Sequence, residues 1–278
     1  MFEIVTQFQA IFRGSFAPSS GGLDHSSSLL SMWTSRRVHA FLMTLAADVS
    51  THVNDTAALR DALDAASFFA SSMGRVGADF QPLLAGVFEP RLAQMVVTHF
   101  TEGLDGLRAL LSACRDAGVA GPLVGATAAT AAAGGDGHDA AEADGVPSAR
   151  TPPPPRGLLA LPPLARFLNA YLGGLNELRR CLLPGAFPAV RAAQDKLVAD
   201  ARMLLQANER AVMAPGMRGE AAKLREMASK MKTEFDSSLE PYMAECLEVA
   251  LGSGKDHFPP TPFFVYIISH PNVLLLNL

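Results

Sequence analysis

The sequence predicts an all-α protein, and three observations lead to that fold class. Apolar residues recur every three or four positions, the spacing that places side chains on one face of a helix. No stretch before residue 258 alternates apolar and polar residues as a half-buried strand does. Hydrophobic residues make up 49% of the 278-residue chain and charged residues 18%. This composition supplies a core and excludes a chain that is disordered throughout.

Three helices are predicted in the N-terminal half of the chain. Their apolar faces run over residues 30–53, 59–73 and 84–107. The third helix should begin at Pro82 or Pro90, because the first turn of a helix leaves its N–H groups unbonded and tolerates proline.

A helix junction is predicted between the second and third of these helices. It consists of Gly74, Arg75, Gly77, Asp79 and Phe80. The glycine ends one helix and the aspartate caps the next. A phosphate-binding loop is the less favoured interpretation, because no strand precedes these glycines and no Gly-Lys-Ser/Thr sequence follows them.

Residues 119–157 consist mostly of Ala, Gly and Pro and include a run of prolines at 152–155. Such a segment buries too little apolar surface to offset its backbone entropy. We therefore predict a disordered linker between a first part of the helical bundle, residues 1–118, and a second part, residues 158–251. The linker is either a spacer or a proline-rich docking site for a recognition domain.

Three more helices are predicted after the linker. Their apolar faces run over residues 164–178, 190–211 and 224–246, and the last helix continues despite Pro241. Residues 252–278 form an uncharged apolar tail after its first few positions. We interpret this tail either as a docking strand or as a spurious or disordered extension.

The first of these later helices carries the best candidates for a packing or partner surface. Leu164, Phe167, Tyr171 and Leu175 follow the helical repeat and share one face. Such a face packs in a core or receives a partner helix, and the spacing fits both interpretations.

The charge and the cysteines restrict the class of protein. The formal net charge is −4, so the chain has no basic excess with which to neutralise a nucleic-acid backbone. The three cysteines, Cys114, Cys181 and Cys246, are far apart, which is typical of reduced, buried thiols in a cytosolic protein. No apolar run reaches the length of a membrane span, and the N-terminus lacks the features of a signal peptide. We expect a soluble protein.

No arrangement of residues in the sequence predicts catalysis. There is no HExxH or Cys/His metal spacing, no GxSxG and no cysteine close to a histidine. His99 and Glu102 are three positions apart on a helix, and a solvated or half-buried pair is the favoured interpretation. We therefore expect no enzyme, no cofactor, no metal ion and no small-molecule substrate.

Five segments, taken in order, resemble the family of subunit 8 of the conserved oligomeric Golgi complex. The most specific is SSMGRVGADFQPLLAGVF, through its RVGADF core, and the match covers roughly residues 1–251 apart from the linker. The opening segment is similar to an internal stretch of that family, so we expect a fragment or an unusually short form. The other segments are FEIVTQFQAIF, SMWTSRRVHAFLMTL, LLALPPLARFLNAYLGGLNELRRC and LEPYMAECLEVAL.

The resemblance implies an elongated stack of helical bundles, the helical rod of multisubunit tethering complexes. It implies a peripheral protein on the cytoplasmic face of the Golgi membrane that acts in retrograde intra-Golgi transport and maintains the glycosylation machinery. The implied partners are subunit 1 and the second-lobe subunits, with Rab GTPases, SNAREs and the membrane contacted indirectly, and no catalytic role is implied. The alternative is a stand-alone helical adaptor that uses its apolar helix faces or its proline-rich linker.

Overall fold

The computed structural model describes residues 2–13, 25–124, 153–214 and 219–252 of the chain. These residues form α-helices joined by short turns, and the described part of the chain contains no strand. The all-α prediction is therefore confirmed. None of the helices in the described part is long and apolar enough to cross a bilayer.

The helices are numbered in chain order. Short 3₁₀ turns cover Gly121–Leu123, Arg156–Ala160 and Pro184–Ala186, and a π-helical turn covers Phe235–Leu239. The α-helices are α1 (Phe2–Arg13), α2 (His25–His52), α3 (Thr56–Gly74), α4 (Gln81–Ala117), α5 (Pro162–Arg180), α6 (Phe187–Met213), α7 (Ala221–Glu234) and α8 (Glu240–Ala250).

The described residues divide into two compact units. The first comprises the described residues up to 95 together with 180–186, and the second comprises the described residues within 96–179 and 187–252. The boundary falls inside α4 and differs from the predicted division at residue 118. The physical reason is that the second half of α4 packs closely on α5, where a Cβ atom placed on Gly103 would lie 2.9 Å from the Cβ of Ala170.

The first unit has an aromatic centre. The rings of Phe41, Phe69 and Phe80 meet pairwise edge to face, with centroids 5.2 to 5.6 Å apart. This geometry brings the positive edge of one ring to the negative face of the next. Helix α3 buries the whole apolar face that its sequence predicts, which consists of Leu59, Leu63, Ala66, Ala70 and Met73.

The second unit buries the apolar faces of α5 to α8. The predicted face of α7 and α8 is buried throughout, from Leu224 to Cys246. Along α6, however, Leu205 is buried where Leu204 was predicted to be, and Leu204 is half-buried. The reason is that a helix repeats every 3.6 residues, so its buried face drifts by about one position over a long helix from predicted positions that repeat about every 3.5 residues.

Prolines explain two local departures from a regular helix. Helix α4 begins at Gln81, so Pro82 lies in its first turn, where a backbone N–H would have no partner within the helix and its loss is tolerated. Pro90, by contrast, lies inside the helix. The single helix predicted over 224–246 is wrong in one detail. A π-helical turn precedes Pro241, and in it the backbone N–H of Glu240 donates to the carbonyl oxygen of Phe235.

The predicted linker is described only at its two ends. There it differs from an extended chain, because Ala120 and Leu123 are buried around the first 3₁₀ turn and Leu158 is buried in the second. Residues 125–152 and the tail beyond 252, with its predicted strand at 263–268, lie outside the described residues.

Candidate functional site

The segment predicted as a helix junction joins the end of α3 to the start of α4. The N–H groups of Val76 and Ala78 both donate to the carbonyl oxygen of Met73, each at 3.0 Å. Gly77 has a φ of 85°, in the left-handed region where a residue without a Cβ atom is least strained. These contacts close the C-terminal end of α3.

Asp79 and Phe80 shape the start of α4. The Asp79 carboxylate accepts a hydrogen bond from the backbone N–H of Gln81 at 2.9 Å, and the side chain of Phe80 is buried in the aromatic centre. Arg75 is exposed, and a Cβ on Gly74 would lie 3.4 Å from that of Asp79. These residues lie together in a structural turn.

A side chain of α1 also contacts this junction. The Nε2 group of Gln9 donates to the carbonyl oxygen of Val76 at 3.0 Å. That bond links the first helix to a residue 67 positions later in the chain. The junction thus contacts α1 as well as α3 and α4, and its hydrogen bonds connect these three helices of the first unit.

The four candidate residues of α5 lie in the interior of the second unit. Leu164, Phe167, Tyr171 and Leu175 are each exposed by 3% or less. Phe167 approaches Phe235, with ring centroids 6.3 Å apart, and Tyr171 stacks on a ring of α4. In the structure these side chains therefore make packing contacts and do not form an accessible surface.

Tyr171 carries the main buried polar contact of the second unit. Its hydroxyl lies 2.5 Å from Oε1 of Gln194 on α6 and 2.8 Å from the carbonyl oxygen of Met243 on α8. Its ring stacks on that of Phe100 in α4, with centroids 4.9 Å apart. Burial raises the pKa of Tyr171, so its hydroxyl stays protonated and can donate a hydrogen bond. One side chain thus joins four helices.

The buried thiols are not activated nucleophiles. Burial raises the pKa of Cys114 and of Cys246, and it raises the pKa of Cys181 to about 11. A catalytic cysteine needs the opposite shift, since the thiolate is the reactive form. The three thiols are free and buried, and they pack as small hydrophobic groups.

His99 and Glu102 lie near the close contact between α4 and α5. A Cβ placed on Gly174 would lie 3.2 Å from the Cβ of His99, and one on Gly173 would lie 3.7 Å from its Nδ1. His99 is half-buried against these glycines, whereas Glu102 is exposed. Within the described residues no group of three or more His, Cys, Asp or Glu is placed to hold a metal ion.

Ion pairs connect the surfaces of α6 and its neighbours in the second unit. Arg202 pairs with Asp236, at 3.2 Å, and with Glu240, and Lys232 pairs with Glu209 at 2.9 Å. These side chains are between 22% and 42% exposed, so each pair contributes little to stability. They connect neighbouring helices of the second unit.

The sequence interpretation missed an exposed apolar face on α2. Leu29, Met32 and Met43 are 62%, 69% and 61% exposed. The predicted face of this helix runs from Leu30 to Val53 and lies on its other side. The signal was present in the sequence, because Met32 and Met43 are eleven residues apart, which is close to three full turns.

Comparisons with known proteins identify relatives of this helical chain. Residues 1–104 match the Dor1-like family. The bovine protein named conserved oligomeric Golgi complex subunit 8 is 29% identical to the chain, over 100% of the chain and 43% of the relative. The human protein of that name is 30% identical, over 94% of the chain and 39% of the relative.

The same name belongs to a Drosophila melanogaster protein that is 26% identical, over 96% of the chain and 43% of the relative. The chain thus spans less than half the length of these relatives. No solved structure gives a significant match to it. Through these matches along nearly its whole length, the chain is shown to resemble conserved oligomeric Golgi complex subunit 8.

Proposed function

We propose that this protein is a non-catalytic subunit of the Golgi vesicle-tethering complex, which acts in retrograde intra-Golgi transport and maintains the Golgi glycosylation machinery. The observation that carries the proposal is the similarity to three subunit 8 proteins, which extends over 94% to 100% of the chain. The matched region is also helical, as a protein that works through helix contacts requires.

The buried polar chemistry supports a role without catalysis. Tyr171, the three cysteines and His99 are all used in packing or in hydrogen bonds between helices. The pKa values of the buried tyrosine and thiols are raised, which keeps these groups neutral near pH 7. An enzyme active site arranges such shifts toward reactive forms.

The proposed partners are the other subunits of the complex, in particular subunit 1 and the second-lobe subunits. Rab GTPases, SNAREs and the Golgi membrane are contacted indirectly, through those subunits. The proposed location is the cytoplasmic face of the Golgi membrane, where the protein is held peripherally. The names of the relatives support the Golgi complex as its context.

Imaging of the tagged chain in its own cells tests this proposal. We expect the signal to coincide with a Golgi marker and to become diffuse when another subunit of the complex is depleted. Depletion of an unrelated peripheral Golgi protein is the control and should leave the signal in place. A diffuse signal that does not respond to either depletion would contradict the proposal.

A further inference from the structure

Helix α2 presents an apolar stripe to solvent. We define the α2 stripe as Leu29, Met32, Arg36, Ala40 and Met43, whose successive spacings of three, four, four and three residues follow one side of a helix. All five side chains are exposed, and the leucine and the two methionines are each more than 60% exposed.

The opposite side of α2 is anchored in the first unit. Val38 and Val49 are 8% and 2% exposed, and like Met32 and Met43 they are eleven residues apart. At about 100° per residue, the two valines lie on nearly the opposite side of the helix from the stripe. The helix is therefore held by one face and exposes the other, on which the apolar side chains follow one line along the helix.

The charge on this face is positive. Arg36 is exposed at the midpoint between Leu29 and Met43, and Asp48, the single acidic residue of α2, lies on another side of the helix. The guanidinium of Arg37 is held elsewhere, over the ring of Trp33 at 5.5 Å from its centroid. The stripe thus combines apolar anchors with one central cation.

We propose that the α2 stripe docks an amphipathic helix of another protein subunit, one whose apolar face carries an acidic residue opposite Arg36. From Leu29 to Met43 the stripe is about 21 Å long, which matches four turns of a partner helix. Anchors three and four residues apart are the pattern by which a helix face receives another helix.

A second copy of this chain fits the stripe less well. Two copies related by a two-fold axis would bring each stripe against itself in antiparallel orientation. Because Arg36 lies at the midpoint, the two guanidinium groups would then face each other, and like charges in contact oppose association.

A membrane surface also fits less well. Helices that lie in the lipid interface carry many Lys and Arg residues on the polar face beside a broad apolar face. In α2 the broad apolar side is used for packing in the first unit, and the stripe itself has one arginine. The acidic helix is thus the occupant that the observations favour.

The inference rests on the proposed function and deepens it by naming a contact surface. The test uses the full chain with Leu29→Gln, Met32→Gln and Met43→Gln, since glutamine is a good helix former and these positions are exposed. The matched control is Met203→Gln with Met213→Gln, two methionines that are 60% and 52% exposed in the second unit. Affinity capture from cells is followed by quantitative mass spectrometry.

We expect the triple variant to recover at least one complex subunit with about tenfold lower yield than wild type, and the control variant to match wild type. A photo-reactive amino acid at Met43 should cross-link to an acidic, amphipathic helical segment of that subunit. Arg36→Glu should also lower the yield, and an exchange of the acidic residue in the cross-linked segment to Arg should restore it.

Other outcomes would overturn the inference. If the triple variant recovers the complex as well as wild type does, the surface is wrong while the proposed function stands. If wild type recovers no subunit and Met43 cross-links to none, both fail. Cross-linking of Met43 to a second copy of the chain, or stripe-dependent flotation of the purified chain with phosphatidylserine vesicles, would assign the surface to a different partner.

Discussion

At the scale of single residues, Tyr171 shows how the second unit uses a polar group. Its hydroxyl contacts Gln194 and Met243 from two other helices, and its side chain is only 1% exposed. A buried hydroxyl without such partners costs free energy. The helical spacing that marks Tyr171 in the sequence as part of a packing or partner surface is therefore explained in the structure by its place in the core.

We predict that Tyr171→Phe lowers the free energy of unfolding by about 1–3 kcal/mol, because it removes the one hydroxyl proton that bonds to a buried oxygen of Gln194 or Met243. Urea unfolding of the purified chain, followed by circular dichroism, measures the effect. Thr44→Val is the control: it removes an exposed hydroxyl that bonds to Ala40 and should change stability by less than about 0.5 kcal/mol. Equal effects of the two variants would contradict this prediction.

Two glycines of α4 provide a second comparison. A Cβ on Gly103 would lie 2.9 Å from the Cβ of Ala170, a methyl carbon bound directly to the backbone of α5. A Cβ on Gly106 would meet nothing within 4 Å. Gly106→Ala should therefore stabilise the chain by about 0.5–1 kcal/mol through helix propensity.

Gly103→Ala should instead destabilise it by about 1–2 kcal/mol, because α4 and α5 must move apart. Thermal unfolding of both variants is the measurement. If both substitutions raise the melting temperature equally, α4 and α5 are not in such close contact.

The buried thiols predict how stability depends on pH. The folded pKa of Cys181 is raised to about 11 by burial, from an ordinary value of 9.0. Its contribution is therefore complete below pH 9 and is lost as the pH rises toward 11, where the unfolded thiol ionises and the folded one does not. The loss amounts to at most about 3 kcal/mol, on the order of the two-unit difference in pKa.

Cys181→Ala isolates this contribution. The substitution removes packing at every pH, but the stability of the variant should fall less steeply between pH 9 and 11 than that of wild type. Denaturant unfolding at several pH values gives the two slopes. Identical slopes would mean that the Cys181 thiol does not titrate differently in the folded and unfolded chain.

At the scale of elements, hydrophobic periodicity was sufficient to find the helices. The apolar positions of α3, α5, α7 and α8 that the sequence predicts to share a face are buried. A helix in a protein is stabilised mainly by the burial of one apolar face, so the spacing of apolar residues in the sequence indicates directly where a helix lies. Periodicity cannot say whether a stripe faces its own chain or a partner, so the sequence left both interpretations open for Leu164, Phe167, Tyr171 and Leu175 of α5.

The π-helical turn is an element that periodicity could not predict. A π turn acts as a one-residue insertion in an α-helix and leaves the phase of the flanking turns unchanged. The apolar face thus continues across Phe235–Leu239, and both terminal residues of the turn are buried. Pro241 was the local signal, since it lacks the N–H that a regular helix uses and its ring clashes with the preceding turn.

We predict that deletion of Ser237 together with Pro241→Ala preserves stability to within about 1 kcal/mol, because the turn becomes regular helix and the buried faces keep their phase. Deletion of Ser237 alone should cost about 3 kcal/mol more, since Pro241 then lies in a regular helix. Far-UV circular dichroism during urea unfolding measures both.

The control deletes Ser229, an exposed residue of regular α7. That deletion rotates the preceding residues by about 100° and removes Leu224 and Met227 from the core, at a cost of about 3–6 kcal/mol. If deleting Ser237 in the Pro241→Ala background is as damaging as deleting Ser229, the turn does not act as an insertion.

At the scale of the whole molecule, the chain has two compact units, each with its own buried aromatic and aliphatic residues. The family could be identified from the sequence because five segments preserve their order, although no single one is diagnostic. The boundary between the two units could not be predicted from the sequence. Composition marks the linker at 119–157, whereas the packing of α4 sets the boundary near residue 95. Composition indicates which segments carry enough apolar residues to fold, whereas the boundary between two units depends on contacts between residues that are distant in the sequence.

We propose that this chain works as a subunit of the Golgi tethering complex, rather than as an enzyme or a free adaptor. Affinity capture of the tagged chain from its own cytosol, read by quantitative mass spectrometry, tests it most directly. We expect other subunits of the complex to be recovered in stoichiometric amounts. Recovery of the folded chain without any of them, under conditions in which a tagged second subunit recovers the rest of the complex, would contradict it.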